Sequence, residues 1–136
     1  MSFDPGTEPI ADDEVLFRRI PVSKGWYSES GLSPEAFEPR DDEATGISFS
    51  RGKYKSVQDA GQGKSKKGYY VAVIRAVDLR TNNIAIAPRP ETDDPGHAEL
   101  PGLTCDTRLT PEALNLKHLL ATLPVKVEGP FVTPTP

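Results

Sequence analysis

The sequence predicts a small single α+β domain: a mixed or antiparallel sheet of four to five short strands, one good C-terminal helix and long loops. Three observations predict it. The chain has 136 residues, enough to bury one core. Apolar and polar residues alternate over several short stretches, whereas one stretch alone combines helical periodicity with capping residues. The 14 prolines and 11 glycines cut the chain into short elements joined by irregular segments.

Taken in order, residues 1–13 hold acids, Pro5, Pro9 and Gly6 and little to bury, and read as a disordered leader. They lack the apolar stretch of a signal peptide. The domain is expected over 14–130, with a loose tail at 131–136. "EVLFRRIPV" is a strand with Val15, Phe17 and Arg19 on one face and Leu16, Arg18 and Ile20 on the other. Two apolar faces suggest a central strand, ended by Pro21. "SKGWYSESG" is a loop. "LSPEAF" is a short helical turn capped by Ser33, with Pro34 at its first position. "ISFSR" is a strand with Ile47 and Phe49 facing one way and Ser48 and Ser50 the other.

"GKYKSVQDAGQGKSKKG" holds four glycines and five lysines and reads as a mobile loop around at most one helical turn. "YYVAVIRAVDLR" opens as a buried strand, and "AVDLRTNN" curls into a turn. "NIAIAP" is a further strand and "HAEL" a short edge strand. "LTPEALNLKHLLATL" is the helix: Thr110 caps it, Pro111 starts it, Glu112 complements its dipole, and Ala113, Leu116, Leu120 and Leu123 form an apolar stripe. "VKVEG" adds a last short strand.

Composition excludes several classes. The longest apolar runs are a few residues, as in "VAVI", too short for a membrane-spanning helix. The single Cys105 excludes an intramolecular disulfide and points to a reducing, cytoplasmic setting. With two histidines 21 residues apart, no metal site is expected, and no cofactor either. There is no phosphate-binding Gly-x-x-x-x-Gly-Lys-Ser/Thr loop and no Gly-x-Ser-x-Gly elbow. The net charge of −4 hides a pattern: residues 46–80 carry 8 bases and 2 acids inside an otherwise acidic chain. An acidic whole argues against a dedicated DNA binder, but a local basic segment accommodates one anionic partner.

Four sets of residues are candidates for chemistry. Lys53, Lys55, Lys64, Lys66 and Lys67, with Tyr69 beside them, could neutralise phosphates and stack on a base, or be a solvated loop next to a strand. Arg18 and Arg19 lie mid-strand, where an arginine needs a partner or a wet cleft. One could clamp a phosphate or carboxylate, or pair with an acid from the N-terminal third. Ser48 or Ser50 would supply a hydroxyl. His97, in "RPETDDPGHAEL", could be an acid/base group facing a cleft shared with a strand arginine, or pin its turn by bonding a backbone carbonyl with no arginine in reach. The sequence favours the pin. A Cys105–His97 pair lacks an orienting third member, and His118 is expected to be a packing or surface residue.

With these residues in hand, the chain resembles a family of small bacterial proteins to which no activity is attached. "LFRRIP", "LSPEAF", "GISFSR", "GYYVAVIRAV" and "DPGHAEL" carry the resemblance, over about residues 14–102. It implies that Arg18, Arg19, Ser33, Phe37, Ser48, His97 and Ala98 are positions the motifs hold. The lysine-rich insert and the C-terminal helix, strand and tail depart from it. The order "FRRI", "ISFSR" and "HAEL" with Glu99 is also similar to ADP-ribosyltransferase-like folds of the arginine–serine–glutamate type, which implies a nicotinamide dinucleotide site.

Two functions follow as expectations. The first is a cytoplasmic accessory module binding a protein partner, with nucleic acid a further candidate through the lysine-rich loop, and no membrane. The second is a small enzyme or ligand-binding domain for a phosphorylated or nucleotide-like ligand, built from Arg18 or Arg19, Ser48 or Ser50, and His97, with Glu99. Convergence of an arginine, a serine and His97 in one pocket favours the second.

Overall fold

The computed structural model describes residues 6–64 and 66–132. Its strands are β1 (Val15–Pro21), β2 (Tyr27–Ser28), β3 (Gly31–Leu32), β4 (Ile47–Arg51), β5 (Tyr69–Arg75), β6 (Ala87–Pro88), β7 (His97–Leu100) and β8 (Lys126–Phe131). Its helices are α1 (Val57–Ala60), α2 (Ala76–Thr81) and α3 (Pro111–Thr122). The fold is α+β. Six strands form one antiparallel sheet in the order β6-β7-β4-β1-β5-β8, and β2 and β3 make a separate hairpin. That is one strand more than the upper count expected; β6, the last two residues of the expected "NIAIAP" strand, lies outside β7 at the edge of the sheet. "HAEL" is therefore not an edge strand: β7 pairs with β4 on one side and β6 on the other.

Strand alternation sets the two faces of the sheet. Leu16 and Ile20 of β1, Ile47 and Phe49 of β4, Ile74 of β5 and Leu100 of β7 are almost fully buried on one face. Against them pack Phe37, Leu79, Leu103 and Leu120. Phe37 belongs to a 3-10 turn at Pro34–Phe37 whose start Ser33 caps by accepting from the Glu35 N–H at 3.2 Å. Thr110 caps α3 in the same way, accepting from the Ala113 N–H at 3.2 Å. Lys117 is also buried on α3, where it pairs with Glu38, a use of the helix face that its apolar stripe does not reveal. The other face carries a smaller apolar cluster of Phe17, Val71, Val73 and Ala60, with Val57 and Phe131 packed against it. Short α1 and the end of β8 thus cover only part of that face.

The expectation of a disordered leader is corrected for residues 6–13. Ile10 is 3% exposed within the main core. Arg51 is fully buried, and its guanidinium donates to the carbonyls of Gly6, Glu8 and Pro9 and to both carboxylate oxygens of Glu14. One apolar residue and a chain of backbone acceptors hold the segment, which composition alone does not register. Residues 1–5 lie outside the described residues. The expected loose tail is corrected at Phe131, which ends β8 and packs on the second cluster; residues 133–136 lie outside the described residues. Among the described residues, no helix is long and apolar enough to cross a membrane.

Candidate functional site

The two arginines of β1 point to opposite faces and meet different fates. Arg18 points to the core face and is 7% exposed. Its Nη1 donates to Glu43 and to the Ser48 carbonyl, both at 3.1 Å, its Nε to the Ala36 carbonyl at 3.1 Å and its Nη2 to the Glu38 carbonyl at 3.4 Å. An acid of the N-terminal third is its partner, one of the two alternatives the sequence left open. Burial pushes the Glu43 carboxyl up, but the Arg18 charge and hydrogen bonds from Arg18 and from the Arg40 and Ser48 N–H groups hold it below the usual range. Four of the five N–H donors of Arg18 are thereby taken, which leaves no pair of them for a forked contact with a ligand.

Arg19 points to the other face. Its guanidinium lies 4.5 Å from the centre of the Tyr69 ring and donates to the Gln62 carbonyl. No ion pair among the described residues includes it. Gly63 makes this approach feasible, since a Cβ there would lie 2.7 Å from the Arg19 Nη1 and 2.5 Å from the Tyr69 ring. Tyr69 is buried under the arginine, so its ring is not a free platform for a base.

Strand register then collects the remaining candidates on the face of Arg19. Ser50 lies opposite Phe17 on one side and His97 on the other, and Ser48 lies opposite Glu99. Arg19, Ser48, Ser50, His97 and Glu99 all line one cleft of about 340 Å³, walled by Arg40, Lys55, Asp59, Glu91 and Asp94. Phe17 and Ala60 of the second apolar cluster line it as well.

His97 is one of these lining residues, with its side chain 13% exposed. Its Nδ1 is 2.9 Å from the Arg89 carbonyl and its Nε2 is 3.1 Å from the Ser48 Oγ. A carbonyl only accepts, so Nδ1 carries the hydrogen of the neutral ring and Nε2 is left to accept from the Ser48 hydroxyl. Carboxylate oxygens of Glu91 and Glu99 each lie 4.0 Å from Nδ1. Glu99 is anchored in turn, accepting from the Thr45 hydroxyl at 2.6 Å and from Arg89 Nε at 3.3 Å. His97 does pin a carbonyl, as the turn reading requires. The expectation that this pin excludes an arginine is corrected, because Arg19 shares the cleft. Gly96 lets β7 start so close to the chain before it: a Cβ there would sit 2.7 Å from that of Tyr54.

The basic segment divides. Lys53 pairs with Glu8 at 2.9 Å and Lys55 with Asp94 at 3.2 Å, and only Lys55 of the five reaches the cleft. Lys64, Lys66 and Lys67 are exposed and outside it. His118 is exposed on α3 beside a groove with Trp26 and Leu114. Among the described residues, no cluster of three histidine, cysteine or acidic side chains could hold a metal ion. Sequence reasoning missed Glu43, whose partner Arg18 lies 25 residues away, and Arg89, which bonds His97 through its carbonyl and Glu99 through its side chain within its own loop and strand. Compared with known proteins, the chain matches no family model, no curated protein and no solved structure.

Proposed function

We propose that the chain is a small enzyme whose site is the cleft of Arg19, Ser48, His97 and Glu99, and whose ligand is a sugar phosphate or nucleotide. The observation that carries this reading is the Ser48–His97 hydrogen bond with its far ring nitrogen held by the Arg89 carbonyl. A nucleophile, a base and an orienting group stand in series, which is the arrangement that activates a hydroxyl. As Ser48 Oγ attacks the phosphorus of a phosphate ester, its proton passes to His97 Nε2, the bond from phosphorus to the leaving oxygen breaks, and the Glu91 and Glu99 carboxylates stabilise the imidazolium. The same proton is then available to the leaving oxygen.

The ligand class follows from the charges left over. Within the cleft, Glu43 is matched by Arg18, Asp94 by Lys55 and Asp42 by Arg40, and Glu99 is matched by Arg89. Arg19 is left to take an anion, while Asp59 and Glu91 on the walls favour hydroxyl donors. A phosphate attached to a sugar offers both. The volume lies at the lower end of the range for small-molecule sites, which favours one nucleotide-sized ligand. Arg19, Ser48 and Glu99 also share one face in the order of the arginine–serine–glutamate folds, so ADP-ribose and NAD belong among the probes.

The accessory-module reading rests on small size, mobile loops, the lack of an assembled catalytic constellation and charge segregation along the chain. Much of that segregation is used internally: Glu8 pairs with Lys53, Asp12 with Arg80 and Glu14 with Arg51. What supports it still is the exposed set of Lys64, Lys66 and Lys67. Calorimetry with AMP, ADP-ribose, NAD and inorganic phosphate tests the cleft reading. At least one organic phosphate should bind saturably, and Arg19→Ala should weaken it by about 10- to 100-fold, the equivalent of about 1.5–3 kcal/mol for a hydrogen bond to a charged group. Equal affinity in wild type and Arg19→Ala would sink the reading, as would no binding of any probe.

A further inference from the structure

We infer that the buried Arg18–Glu43 pair is a positioning device that presents the Ser48 hydroxyl to His97, an inference that rests on the cleft reading above. β1 and β4 pair through Leu16–Arg51 and Phe17–Ser50, and no ladder contact continues to Ser48. β1 itself runs on in register with β5 as far as Pro21. Where the β1–β4 ladder stops, the ion pair takes its place. The Ser48 N–H donates to Glu43 Oε2 at 2.7 Å, and the Ser48 carbonyl accepts from Arg18 Nη1 at 3.1 Å. Both backbone groups of Ser48 on the β1 side are therefore held by charged side chains, with the same Glu43 oxygen bound to Arg18.

Each partner is fixed in turn. Arg18 also bonds the Ala36 and Glu38 carbonyls, and Glu43 Oε1 accepts from the Arg40 N–H at 2.8 Å. An unpaired charge at this depth would be costly; Arg18 and Glu43 compensate each other, and the Ser48 backbone groups complete their hydrogen bonding. The pair contacts Ser48 from the strand side and touches neither His97 nor any group that would meet a ligand through its reacting atoms. It acts through Ser48. The ladder stops two residue pairs short of Ser48, where Arg18–Phe49 and Arg19–Ser48 would follow, and Arg18, Arg40 and Glu43 line the cleft there.

The test compares wild type with Glu43→Gln, which keeps the side-chain size and removes the charge. The probe is a phosphonyl fluoride. Its reaction forms a bond from Ser48 Oγ to phosphorus, expels fluoride and sends the serine proton to His97. Two quantities are read: the rate of Ser48 labelling by mass spectrometry, and the nitrogen chemical shift of His97 Nε2, which reports the Ser48 hydrogen bond. In folded Glu43→Gln, labelling should slow by about 10- to 100-fold, the cost of a misplacement of about 1 Å, and the Nε2 shift should move towards its value in Ser48→Ala. A variant without a cooperative unfolding transition is replaced by Arg18→Lys, which keeps the charge and loses the fork, with the same expectation. A merely structural pair would lower stability and leave both readouts unchanged in the folded protein, and that result overturns the inference. Absence of Ser48 labelling in wild type removes Ser48 as a nucleophile, and the Nε2 shift then decides the positioning role alone.

Discussion

Replacing Arg51 with methionine should release the N-terminal segment and cost about 4 kcal/mol. Arg51 is fully buried, and its guanidinium meets Glu14 at 2.8 and 2.9 Å. The Glu14 side chain is itself 8% exposed. Removing one member of such a pair leaves a buried charge uncompensated, at about 3–5 kcal/mol. The carbonyls of Gly6, Glu8 and Pro9 lose their donor as well, although the methionine recovers part of the apolar contact. For a domain whose whole stability is about 5–15 kcal/mol, a loss of that size is large. In a chain of 136 residues it corresponds to a fall in Tm of about 10–20 °C. Urea unfolding followed through Trp26, the single tryptophan, which packs against the core, measures the loss. Hydrogen exchange over residues 6–13 should rise at the same time. A loss below about 1 kcal/mol, or unchanged exchange in that segment, would refute the reasoning. By the same logic a chain cut to residues 14–130 should be less stable than the full chain, because it empties the site of Ile10.

Leu120 is fully buried in the main core, so Leu120→Ala should cost about 2–5 kcal/mol in the same urea assay; a loss below about 0.5 kcal/mol would mean that this face of α3 does not support the core. Acid should destabilise the protein through its paired carboxylates. Glu43 lies below its ordinary value of 4.5 when folded, so its contribution is complete above that value and is lost as the pH falls through the folded one. Glu8 follows the same sign, pulled to about 2 by the Tyr54 hydroxyl and then by Lys53. Urea midpoints should therefore fall steadily with decreasing pH below 4.5, and Glu43→Gln should show a shallower fall; equal slopes would remove Glu43 as a source. Neutralising Lys64, Lys66 and Lys67 together should weaken any polyanion binding and flatten its salt dependence. A wild type that binds no polyanion at low salt ends the nucleic-acid reading.

Local physics made much of this molecule legible in its sequence. Alternation in "VLFRRIP" separates Arg18 from Arg19, and alternation in "ISFSR" separates Ser48 and Ser50 from Ile47 and Phe49, as the sheet bears out. Proline after a capping residue marks both the turn at Ser33 and the helix at Thr110. What sequence reasoning lost depends on distant partners. Glu43 sits in a polar turn, 25 residues from the arginine it neutralises, and nothing local distinguishes it from Asp41 or Asp42. Ile10 is one apolar residue among acids and prolines, and its burial depends on Arg51. "HAEL" reads as an edge because only Ala87–Pro88 of the "NIAIAP" strand pairs with it, and nothing local in either segment says that the two lie side by side. The cleft itself needed strand order: Arg19, Ser48 and His97 are separate candidates until β1, β4 and β7 lie side by side.

The most direct test of the cleft is to find where a nucleotide meets the protein. Backbone and histidine-ring resonances of the nitrogen-15-labelled chain, followed during titration with AMP and ADP-ribose, locate the contact. If the Ser48–His97 cleft is the working site, saturable shifts should centre on Arg19, Ser48, His97 and Glu99, and Arg19→Ala or His97→Gln should weaken them, the latter at a cost in stability of only about 1 kcal/mol for its bond to the Arg89 carbonyl. Shifts that instead gather on the groove of Trp26, Leu114 and His118, or a His97→Gln chain that loses stability and keeps its ligand, would contradict it.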